Sequence, residues 1–176
     1  MKTPDAPVPK SVEQLATQVF NELHQTVISH ESGSLDGNIE SIHDMRVAIR
    51  RLRVALGNFA VCVPKKDRKR LRVEMKNLAD ALGGVRDLDV MIAAMKASLF
   101  TRSDEEKSAI SDLIRRLRAK RGRRLQVLRN YLQREEYAAF RREFPSERLG
   151  YEILEQHLVH TNIQPEVIEE EHGQAA

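Results

Sequence analysis

Apolar residues recur at intervals of three and four through most of this chain, the period of a helix face. Nowhere do they alternate as along a half-buried strand. Val12, Leu15, Val19, Leu23 and Val27 form the first run, and Ser11 with Gln14 three residues on makes a capping-box start for it. A helix is expected from there to about His30, followed by a turn or short loop at ESGSLDGN. A second helix is expected from about Ile39 to Val61, stopped by Pro64, with Met45, Ile49, Leu52, Leu56 and Phe59 as its apolar stripe. A third runs from about Lys65 to Leu82 on Leu71, Met75, Leu78 and Leu82. Gly83–Gly84 is expected to break or kink it, leaving Arg86 and Asp87 at the head of a fourth helix with core face Leu88, Ile92, Met95 and Leu99. Ser103 and Glu106 then make a second capping box, which opens a fifth helix reaching about Glu135. Ile110, Leu113, Leu117, Arg121, Leu128 and Leu132 are expected along its inner side. EEYAAFRREF reads as a short amphipathic extension ended by Pro145, and a last helix is expected over Ser146–His160.

The architecture this predicts is all-α: an antiparallel helical bundle of about six helices over residues 11–144. A flexible leader with three prolines precedes it at 1–10, and a short helix with an acidic tail follows at 145–176. Composition agrees. The 176 residues are 41% apolar and 31% charged, without tryptophan, which suits one globular helical domain. A single cysteine, Cys62 in the apolar run FAVCV, excludes an intrachain disulfide and fits a buried, inert thiol in a reducing, cytoplasmic setting. No stretch is apolar enough for a membrane span, and the first ten residues lack the apolar core of a signal peptide.

Charge changes the picture more than composition does. The formal net charge of +3 hides a segregation along the chain. His43 to Arg86 holds 12 Lys and Arg against 4 Asp and Glu, and Arg115 to Arg134 holds 9 with no acid. Pro145 to Ala176 holds 7 Glu and one Arg. The basic middle calls for an anionic partner. Within it, His43, Arg46, Arg50 and Arg53 form one narrow stripe of the second helix, about 120° from the apolar one. Lys65, Lys69, Arg72 and Lys76 repeat the design on the third. Two antiparallel helices with such ridges bring like charges together, an arrangement that a bound multivalent anion offsets. Arginine suits this role because its planar fork grips phosphate oxygens in pairs and stays charged. Arg86, read as lying at a helix start, is placed for phosphate as well.

Other chemistry is less well served. His43 as a phosphoacceptor needs one accessible histidine and at most one cation, and three arginines suit a long anion better. The alternative is a nucleic-acid or acidic-protein binder using the same basic face, but duplex DNA readers want Asn or Gln on the groove helix, where the second helix offers only Asn58, and stacking aromatics are absent from the basic stripes. His157 and His160, i and i+3 with Glu155 nearby, read as surface or capping histidines, and His24 and His30 have no partner at metal spacing. Asp87 and Asp89 are expected to cap a helix or orient Arg86 and nearby cations. No Walker loop or nucleophile motif occurs, so catalysis is not expected.

His43-Asp44-Met45-Arg46-Val47, Arg50-Arg51-Leu52-Arg53 and Leu82-Gly83-Gly84-Val85-Arg86-Asp87-Leu88-Asp89-Val90 together resemble the signature of the CHAD domain, the conserved-histidine α-helical domain. The resemblance covers about residues 11–144, with the sharp motifs at 43–90. It implies a helical bundle with a basic groove that holds inorganic polyphosphate, in some members on polyphosphate granules. His43, Arg46, Arg50, Arg53, Lys76 and Arg86 match the motif, and periodicity adds Arg51, Lys69, Arg72 and Arg121. Members of the family are typically longer, with a second, pseudo-symmetric bundle and a second His/Arg helix that this chain lacks. Two chains are therefore expected to pair, a two-fold axis standing in for the missing half.

Overall fold

A computed structural model describes residues 11–142 and Phe144. Six α-helices carry the fold: α1 (Val12–Ser29), α2 (Glu31–Asp36), α3 (Ile39–Asn58), α4 (Lys65–Ser98), α5 (Asp104–Leu132) and α6 (Glu135–Arg142). Single 3-10 turns at Ala60–Cys62 and Leu99–Thr101 link α3 to α4 and α4 to α5. The domain is all-α, as the periodicity predicts. The leader at 1–10 and the helix and acidic tail expected over 145–176 lie outside the described residues.

Both capping boxes foreseen in the sequence sit at helix starts. The Ser11 hydroxyl accepts from the Gln14 N–H, and Ser103 and Glu106 cap each other reciprocally at the head of α5. Two boundaries differ from expectation. ESGSLDGN is mostly helix, not loop, because its end is held from outside. Arg129 Nε donates to the Leu35 carbonyl (2.7 Å) and Arg121 Nη2 to the Gly37 carbonyl (2.9 Å), so α5 supplies donors to orphan carbonyls at the C-terminus of α2. Gly37 closes that helix at φ 82°, and a Cβ there would meet Leu125 Cδ2 at 2.6 Å.

The second difference bears on the site. Gly83–Gly84 does not break the chain; α4 is one helix of 34 residues, about 51 Å long. Its buried positions Leu71, Met75, Leu78, Leu82, Val85, Leu88 and Ile92 keep the helical period straight across the glycines. Burial of that continuous stripe, at roughly 1.5–3 kcal/mol per large apolar side chain, outweighs the ~1 kcal/mol that each glycine costs a helix interior.

The helices stand in a row, α1 against α3, α3 against α4 and α4 against α5. Phe20, Ile42, Met45, Ile49, Leu52, Met75, Leu78, Leu82 and Leu128 are wholly or almost wholly buried between them. At one end α6 and Phe144 fold over α1, where His24 stacks on Phe144 (4.6 Å, 13°) and meets Phe140 edge-on (5.4 Å). Tyr137 O–H donates to Glu31 (2.9 Å), which Arg141 also pairs, tying α6 to α2. At the other end α4 and α5 run on together past α3. Their antiparallel register is fixed by Tyr131 donating to Glu74 and by the Arg121–Asp89 pair. Beyond that pair the hairpin is a two-helix arm, closed by Ile92 and Ile114, which are buried but outside the main core cluster.

Candidate functional site

The two cationic ridges meet. The i, i+3, i+4 spacing that buries Met45, Ile49 and Leu52 of α3 turns Arg46, Arg50 and Arg53 toward its exposed flank. On α4 the same geometry exposes Arg72 and Lys76. Arg50, Arg53, Arg72 and Lys76, with Val54 between them, line one open cleft of about 510 Å³ between α3 and α4. Arg46 lies one turn along: its Nε would be 3.8 Å from a Cβ placed on Gly83. The antiparallel run then sets His43 level with Arg86, one turn further on α4, and both are half-buried. The ladder of cations follows α3 for ten residues, about 15 Å.

The row is poor in acidic partners. Among the described residues, His43, Arg46, Arg50, Arg53, Arg72 and Arg86 have no hydrogen-bond or ion-pair partner. Only Lys76 is paired, with Asp80 at 3.1 Å, both side chains 66% exposed. An exposed i,i+4 pair of that kind contributes little, so Lys76 is readily shared with a ligand. Several exposed arginines and lysines elsewhere do pair with an acid, as with Arg102–Glu106, Lys107–Asp104, Arg115–Asp112 and Arg142–Glu135.

Three of the residues read from sequence stand elsewhere. Arg51 stands outside the α3–α4 cleft, in a neighbouring shallow cleft against α1 that Glu22 also lines and that shares Arg50 and Val54 with the first. Lys69 is exposed on α4 outside the residues that line the α3–α4 cleft. Arg121 is turned inward: its guanidinium grips both oxygens of Asp89, whose side chain is 3% exposed, while Nη2 holds the Gly37 carbonyl. It is a brace between α5, α4 and the α2–α3 turn, so its expected place among the ligand groups is corrected. The expected inner stripe of α5 holds at Arg121, Leu128 and Leu132, and Arg121 is unavailable because it faces inward; the stripe departs from expectation at Leu113, which is exposed while Ile114 is buried. Arg86 is corrected in part. It borders the row, but in mid-helix, where backbone N–H groups are already bonded within α4, so no helix N-terminus assists it.

The glycine pair shows one residue that the sequence reading passed over. A Cβ on Gly84 would meet Arg124 Cδ at 3.4 Å. Gly83 and Gly84 thus give close passage to Arg46 of α3 on one side and Arg124 of α5 on the other. Arg124 also lines a cleft of about 360 Å³ between α4 and α5 with Asn77, Asp80, Tyr131 and Arg134. The signal was the unbroken apolar period on both sides of the glycines: a pair of glycines inside a continuing helix marks an approach, not a stop.

No helix among the described residues is long and apolar enough to cross a membrane, and no group of three or more His, Cys, Asp and Glu there is arranged to hold a metal. The class these features define is an all-helical domain with a cationic cleft between two of its helices. The sequence model of the CHAD domain matches residues 18–148, and the chain belongs to that family. Neither the curated proteins nor the solved structures yield a match.

Proposed function

We propose that the α3–α4 cleft binds inorganic polyphosphate without transforming it. The observation that carries this is a row of cations without a partner among the described residues: Arg50, Arg53 and Arg72 line the open cleft with Lys76, and Arg46, His43 and Arg86 continue the row beyond it. Family membership, through a domain associated with polyphosphate, supports the same ligand. Binding is electrostatic capture: successive phosphates replace condensed counterions, and their release makes association entropically favourable and strongly salt-dependent. The protein acts in the cytoplasm, on or near polyphosphate granules, and works as a pair of chains.

The test is a titration with long-chain polyphosphate at two salt concentrations, with duplex DNA as competitor. Tight, salt-sensitive binding that DNA fails to displace is the expected result. Equal displacement by DNA would make the cleft a general polyanion or nucleic-acid surface. No binding by the folded protein would sink the reading, and labelling of His43 from a phosphodonor would then replace it. Arg50→Glu is expected to weaken binding at least about tenfold, since a charge-assisted contact contributes about 1.5–3 kcal/mol. Arg142→Glu, on α6 and already paired with Glu135 at 2.7 Å, is the control and should change it far less.

A further inference from the structure

The apolar stripe expected on the inner side of α5 is covered at Leu128 and Leu132 but opens toward the start of the helix. Leu113 is 41% exposed, Ile110 and Leu117 are half-buried, and it is Ile114 that faces α4. All of them lie on the two-helix arm, where Met91 of α4 is 52% exposed as well. Along α5 the same flank reads Glu106, Ile110, Leu113, Leu117, Lys120, Arg124, in steps of four, three, four, three and four. That is the spacing of a coiled-coil seam. It is acidic at its start, apolar in its middle and basic at its end.

Such a seam is complementary to itself only in reverse. Laid parallel, two copies set acid on acid and base on base. Laid antiparallel about an axis through Leu113, they set Glu106 against Lys120 and bring Ile110 and Leu117 to within one residue of facing each other. A heterologous partner would have no need of this symmetry, so charge complementarity identifies a second copy as the occupant.

We infer that two chains pair through the α4–α5 arm, antiparallel, with Leu113 on the two-fold axis. The inference deepens the pairing proposed above and rests on it, and it is independent of which anion the cleft holds. Sedimentation of the full chain is the first measurement: a dimer is expected, and Leu113→Lys should halve the mass with the helical circular dichroism unchanged. Should that variant fail to fold, thiol cross-linking gives a second readout, Cys62 being buried. Leu113→Cys should oxidise to a covalent dimer by itself. Glu106→Cys should do so only when mixed with Lys120→Cys. A monomeric wild-type chain, or a dimer that Leu113→Lys leaves whole, overturns the inference. So does a monomer in which the thiol of Leu113→Cys is shielded from alkylation, since another segment of the same chain would then cover the seam. None of these outcomes touches the cleft, whose ligand is decided by the polyphosphate titration.

Discussion

Asp89 and Arg121 show how differently two charged residues of the same motif region can serve. Asp89 is buried, and its two oxygens are met by one guanidinium that also holds the Gly37 carbonyl. Removing one member of a buried pair leaves the other uncompensated, at a cost of about 3–5 kcal/mol. Asp89→Ala should therefore lower stability by about that much in a urea melt, while replacing both partners with apolar residues should cost much less. An Asp89→Ala variant as stable as the parent would mean that the brace is not formed in solution. His24 makes a second residue-level case. Its ring lies against Phe140 and Phe144 with Nε2 lacking a partner among the described residues, and burial lowers its pKa from the ordinary value near 6.5, opposed by a hydrogen bond with the Phe140 backbone. The neutral ring is the one the fold accommodates. Its contribution is complete above about pH 6.5, and it is lost as pH falls through the folded-state value, because the unfolded chain then binds the extra proton. Melting temperature should decline across that window in the parent and decline less in His24→Phe, measured by thermal melts from about pH 7 to about pH 5. Identical slopes would show that His24 carries none of the acid sensitivity.

At the level of single elements, α4 is the decisive one. Gly83 sits inside an unbroken helix at ordinary φ, and a Cβ there makes only van der Waals contact, at 3.8 Å from Arg46 Nε. Gly83→Ala should therefore stabilise the protein by about 0.5–1 kcal/mol in denaturant, the helix-interior difference between the two residues. A loss of stability instead would show that the chain bends there. The sequence reading of α4 as two helices failed because local breaker chemistry was weighed above the burial of a stripe that never lapses. The same failure, in smaller form, made a loop of α2, whose C-terminus is held by arginines more than eighty residues away in the chain. Helix starts were legible because the groups that make them, Ser11 with Gln14 and Ser103 with Glu106, are neighbours in sequence. The cationic stripes were legible for the same reason, since periodicity within one helix decides which residues share a face. Which flank of the bundle each face then meets is a tertiary matter. Periodicity therefore put Arg50 and Arg53 on one face and Arg121 on the inner side of α5, but could not tell that Arg51 stands outside the α3–α4 cleft, that Arg121 is taken up by Asp89, or that Arg124 meets Gly84.

For the whole molecule, the cleft and the arm make a joint prediction. Arg124 stands eleven residues from Leu113, about 16 Å along α5, so antiparallel arms hold the Arg124 ends of two bodies about 33 Å apart. A polyanion long enough to reach both clefts binds twice, the second time at the effective concentration set by the arm. Such linkage can raise overall affinity about 10²–10⁴-fold without any new contact. Short oligophosphates cannot span the gap and gain nothing. Long-chain polyphosphate should therefore bind the parent protein much more tightly than Leu113→Lys, whereas short chains should bind the two alike. Salt dependence separates this from a local defect. Each phosphate contact adds about 0.7 to the slope of log affinity against log salt for a single-stranded polyanion, so Arg50→Gln should reduce the slope for short chains by about that amount. Arg51→Gln, outside the residues that line the α3–α4 cleft, should reduce it less, and Leu113→Lys should alter the slope for long chains alone. If Leu113→Lys weakens short and long chains equally, the arm acts on the cleft itself, and bivalent capture is wrong even where the dimer is real.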